Sequence, residues 1–164
     1  MARFAAASKA LRGPFKKLIH KLELEVRRVV VNVHPNAAAR YRDTATHAET
    51  ALRAAREEAA AIRAAKPKPR PRAVTVVVDR MTGRVAGVAA SGDVVDVPED
   101  LRFMLPDPTL EPWVATNCGE VTAAARAMAN GSHLEDLVYR TVKVGSGKIL
   151  VPCKNCITWT DLGG

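Results

Sequence analysis

Four residues in the second half of the chain have the types and spacing for chemistry. Cys118 and Glu120 stand two apart in "NCGEV", and Cys153 and Cys156 form a CxxC in "PCKNC". The alanine-rich run after Val121 reads as a helix that Gly131 would stop, so Cys118 and Glu120 fall at its start. Peptide dipoles there favour a thiolate and a carboxylate. Pro152 suits a first helical position, so Cys153 and Cys156 begin a second helix and can face one point in space. Three thiolates from two helix starts are a donor set for a divalent ion, above all Zn2+. A structural zinc site has four protein ligands as a rule, and three sulfurs leave a position for water. Zinc lowers the pKa of such a water from about 15.7 towards about 7. Glu120 is spaced to take that proton without ligating the ion, and to return it to a leaving group.

Other readings use the same residues. His133 as a fourth ligand would make a closed, structural zinc site, although a histidine just past a helix-ending glycine is more often a cap or a surface residue. A thioredoxin-like role for Cys153 and Cys156 would want the CxxC after the first strand of a βαβ unit. Asn117 is a natural N-cap and also stands where a pocket rim would be. Trp113 can stack on a base or simply pack in the core. His20, His34 and His47 are assigned no role.

The elements that must position these groups follow from periodicity. Residues 14–33 place Phe15, Leu18, Leu22, Val26 and Val29 at helical spacing with a basic opposite side. "HPN" breaks that helix, and an alanine-rich helix over 37–65 expects a closely packed partner. "KPKPRPR" (66–72) is stiff and extended, which suggests a boundary. We therefore expect a basic helical region over 1–65, a linker over 66–72 and a zinc domain over 73–164. In the last of these, "AVTVVVD" (73–79) and "RVAGVAA" (84–90) read as a hairpin around "RMTG". A short helix follows near Pro98–Met104. After the cysteine-bearing helix come a strand over 137–144 and an extended piece over 149–151. "VGSGK" is a hairpin turn, because a phosphate loop would need glycine where Val142 stands and Ser or Thr where Ile149 stands.

Charge divides the same way. Residues 1–72 hold 17 Lys/Arg against 6 Asp/Glu, whereas residues 73–164 hold 8 against 11. The basic half favours phosphate backbones, anionic surfaces or an acidic protein, or is a solvated helix face. No run of 18 apolar residues exists, so no spanning helix is expected. Three cysteines, an odd count confined to one domain, argue against a disulfide framework and for metal or redox chemistry in a reducing compartment.

"NCGE…PCKNC", with a hairpin before it and a strand between its halves, resembles the cytidine-deaminase superfamily. It is most similar to the YwqJ-like deaminases of bacterial polymorphic toxins, over about residues 73–164. The resemblance implies an α/β fold, a mixed sheet flanked by helices, with zinc held between two helix starts. It implies Cys118, Cys153 and Cys156 as ligands, Glu120 as the catalytic proton shuttle, and Asn117 at the pocket rim; Trp113, from its own chemistry, is added as a candidate substrate contact. The reaction implied is hydrolytic deamination of a nucleobase, cytosine favoured over adenine. The substrate would be nucleic acid, single-stranded favoured, or a free nucleoside or nucleotide. Delivery into the cytoplasm of a target cell and a cognate immunity protein follow from the toxin resemblance. A non-catalytic zinc-stabilised module that binds nucleic acid or protein is the alternative.

Overall fold

The computed structural model describes the backbone over residues 37–160 and the side chains from residue 44 onward. The helix expected over 14–33, with His20 and His34, lies outside the described residues. Tyr41–Gly164 forms a compact unit.

The first described helix, α1, spans Ala37–Ala65. It ends where Lys66 turns to φ +50 and donates its N–H to the Ile62 carbonyl. Pro67 and Pro69 then prevent the chain from resuming a helix. Its buried stripe is Ala48, Ala51, Ala55 and Ala59, spaced by three and four so that they share one face. The partner that this alanine face requires is the sheet. Ala51, Ala55 and Ala59 pack on Val74, Val76, Val78, Val142 and Val144. Arg63 fixes the helix end by donating to the Val144 carbonyl at 2.7 Å.

The sheet has the order β2-β1-β3-β4, from β1 (Ala73–Asp79), β2 (Arg84–Ala90), β3 (Leu137–Lys143) and β4 (Ile149–Leu150). The α/β class stands, but the sheet expected to be mixed is antiparallel at every pairing among the described residues. The cause is connectivity. Tight turns join β1 to β2 and β3 to β4, and the long connection from β2 crosses over β1 to reach β1's free edge. β2 and β3 thus run the same way without being neighbours. β1 lies at the centre and is covered on both faces, which explains its unbroken valine run. Val74, Val76 and Val78 face α1, and by alternation Thr75 and Val77 face the other side.

That other side carries α2 (Glu99–Met104), α3 (Gly119–Ala129) and α4 (Lys154–Thr160). Val77, Leu101, Val121, Ala124, Leu137 and Trp159 meet in its core. Two glycines set how closely α3 lies on the strands. A Cβ on Gly87 would stand 2.1 Å from the Ala123 carbonyl oxygen, and one on Gly119 would stand 2.9 Å from Thr75 Oγ1. Among the described residues no helix is long and apolar enough to cross a membrane.

Candidate metal centre

Cys118 is the N-cap of α3, with extended backbone at φ −76 and ψ 135. Its carbonyl accepts the N–H groups of Val121 and Thr122. The cap expected at Asn117 is therefore one residue later. Asn117 closes a 3-10 turn over Ala115–Asn117 and is exposed beside the thiol. The second helix start is likewise displaced. The Cys153 carbonyl accepts from Cys156 and Ile157, both at 2.9 Å, so Cys153 caps α4. Pro152 stands outside α4 rather than at its first position. The expectation that matters survives both shifts, because each helix start still presents sulfur.

The three sulfurs converge. All lie within 4.8 Å of one another, and Cys118 Sγ is 3.4 Å from Cys153 Sγ. A tetrahedral zinc with Zn–S of about 2.3 Å would set its sulfurs about 3.8 Å apart, so the spacing fits a common ion. Cys156 is fully buried, Cys118 nearly so, and Cys153 is half-buried. These three cysteines could hold a metal such as zinc. His133 does not join them. It precedes a 3-10 turn beyond the C-terminal end of α3, and 11 residues of helix span about 16 Å.

Glu120, the second residue of α3, is 7% exposed. Its Oε2 lies 3.6 Å from Cys156 Sγ, and its Oε1 accepts a hydrogen bond from Thr141 Oγ1 at 2.8 Å. Thr141 Oγ1 lies 2.8 Å from Thr75 Oγ1. Trp113 donates its indole Nε1–H to Cys118 Sγ at 3.4 Å, and the residue is 44% exposed.

As thiols the sulfurs are unequal. Cys118 is held down to about 6, first because the Cys156 thiol donates to it. Burial opposes that effect, the Trp113 indole and the Cys153 thiol assist it, and the Glu120 charge opposes it. Cys156 is pushed far up as the donor in the same bond, and by burial and the Glu120 charge. A bound divalent cation would override this order by deprotonating its thiol ligands.

Several residues that the sequence pattern did not single out build the site. Asn155, between the two CxxC cysteines, is fully buried, and its Oδ1 accepts from the Leu110 N–H at 2.7 Å. Glu111 Oε1 accepts from the Lys154 N–H at 3.0 Å and so caps α4. Thr109 Oγ1 donates to the Trp113 carbonyl at 2.7 Å. These bonds hold the 109–113 loop, and Trp113 with it, against the start of α4. The visible hint was a polar residue inside a buried CxxC turn. Thr75 and Thr141 announce themselves only as hydroxyls among valines, and their meeting depends on strand register. Comparison with protein-family models, curated proteins and solved structures returns no match.

Proposed function

We propose that the chain is a zinc-dependent hydrolytic deaminase acting on a nucleobase, with cytosine the favoured base. One observation carries the reading: a buried carboxylate, Glu120, stands beside a three-sulfur cluster that draws its donors from two helix starts. A purely structural site would ordinarily recruit a fourth ligand.

Cys118, Cys153 and Cys156 would hold the ion, which when bound supplies a Lewis acid able to make water a nucleophile at neutral pH. Glu120 would accept the proton of the attacking water and pass it to the ring nitrogen. It would then help ammonia depart. A C–O bond forms at the amine-bearing ring carbon, the exocyclic C–N bond breaks, and nothing is oxidised or reduced. Trp113, 44% exposed, would offer a ring on which a base can stack, and the exposed Asn117 would offer an amide at the pocket rim. The resemblance to YwqJ-like toxin deaminases favours a polymer substrate, an effector delivered to a target-cell cytoplasm, and an immunity protein as partner. Residues 73–164 carry slightly more acidic than basic residues, which favours an unpaired strand over autonomous capture of duplex.

The test is direct. Zinc-loaded protein is incubated with single- and double-stranded DNA, RNA and free nucleosides, and C-to-U and A-to-I conversion are scored. Glu120→Ala should keep its zinc and lower turnover by about 10²–10⁴-fold. Glu120→Ala with undiminished conversion would defeat the mechanism. No conversion of any substrate by the zinc-loaded wild type would leave a zinc-stabilised binding module as the better description.

A further inference from the structure

We infer that Thr141, seconded by Thr75, is a positioning residue for Glu120: it commits one carboxylate oxygen to the sheet and so leaves the other as the working oxygen. The inference rests on the deaminase reading and extends it to residues outside both cysteine motifs.

The hydrogen bonds run in one order. Thr141 Oγ1 donates to Glu120 Oε1 across the 2.8 Å separation. A threonine hydroxyl has a single proton, and Thr141 uses it there. Thr75 must then donate to Thr141 across the second 2.8 Å contact. Thr75 and Thr141 are directly paired residues of β1 and β3. Thr75 is 1% exposed, and Thr141 and Glu120 are each 7% exposed, so water is a poor substitute for any member.

Two consequences follow for the carboxylate. Oε1 is engaged by the sheet, so the oxygen left to face the thiol cluster is Oε2, 3.6 Å from Cys156 Sγ. Neither hydroxyl titrates in the working range, so the relay orients the acid without taking its proton. Gly119 belongs to the same device. A side chain there would press on Thr75 Oγ1, the atom that meets Thr141.

The experiment uses the full zinc-loaded chain with Thr141→Val, Thr141→Ser and the double variant Thr75→Val/Thr141→Val. Loss of one hydrogen bond to a charged group predicts a fall in kcat of roughly 10- to 100-fold for Thr141→Val, with KM nearly unchanged and zinc content at the wild-type level. Thr141→Ser should recover most of the rate, because it restores the donor. The double variant, with two apolar isosteres in contact, guards against a folding defect and should be as slow as Thr141→Val. Wild-type kcat in folded, zinc-loaded Thr141→Val or in the double variant overturns the inference. If the wild type converts none of the substrates, the reaction proposed above fails on its own account. A double-mutant cycle of Thr141→Val with Glu120→Ala, read by denaturant unfolding, then decides the positioning role. Additive effects overturn it, and non-additive effects sustain Thr141 as the holder of the carboxylate.

Discussion

At the scale of single residues, the site is a set of donors aimed at sulfur and carboxylate. Trp113 contributes through its indole N–H as well as its ring, since that N–H reaches Cys118 Sγ. Trp113→Phe keeps an aromatic face and removes the donor. It should weaken metal affinity by about 10-fold, the lower end for loss of a partner to a ligand, as read by competition with a chromophoric chelator. The cysteines and Glu120 were legible in the chain because their chemistry depends on spacings of two and three residues, which a sequence displays. Asn155 was half legible, being fixed between two legible cysteines while its side-chain partners Leu110 and Trp113 lie 45 and 42 residues earlier. Thr141 was illegible, because its bond to Glu120 joins positions 21 apart through the register of two strands.

At the scale of elements, short turns and close contacts set the geometry. Asp79 ends β1 and accepts the N–H groups of Met81 and Thr82 at 2.8 and 3.0 Å. Burial alone would raise its carboxyl, but hydrogen bonds from Ser132, Thr82 and Met81 outweigh that and hold it below the usual range. A carboxyl whose folded-state pKa is depressed adds stability that is present above its unfolded value, about 3.9. That stability is lost as pH falls through the lower, folded value. Asp79→Asn should therefore be less stable than wild type at pH 7, and the gap should close as urea unfolding is repeated at successively lower pH below about 4. Gly87 makes a harsher demand, since its missing Cβ is where the Ala123 carbonyl stands. Gly87→Ala should cost about 3 kcal/mol, seen as a lower urea midpoint. The hairpin over 73–79 and 84–90 was readable because β-branched runs flank a short glycine-containing turn. The antiparallel outcome at β3 was not, because strand direction depends on how the chain returns from the far edge.

At the scale of the whole molecule, the sheet is covered by α1 on one face and by three shorter helices on the other, and the thiols belong to the second layer. A metal there would tie the start of α3 to the start of α4. Chelation should lower the melting temperature, while the far-UV circular dichroism of the cooled, metal-free protein stays close to that of the loaded form. Hydrogen exchange should quicken at residues 109–114 and 153–157, and stay slow in β1. Stabilisation on adding zinc back should grow with the logarithm of its free concentration. The alanine stripe of α1 was visible in the sequence as a demand for a close partner, but nothing in its composition identified the sheet as that partner. The depth of Glu120 has a consequence for anything long and stacked. On the deaminase reading proposed above, an acid with 7% of its surface open would not reach a ring still sandwiched between its neighbours in a double helix. A polymer substrate would then have to swing one nucleotide out of line, so mismatched, looped or frayed positions should be altered before paired ones.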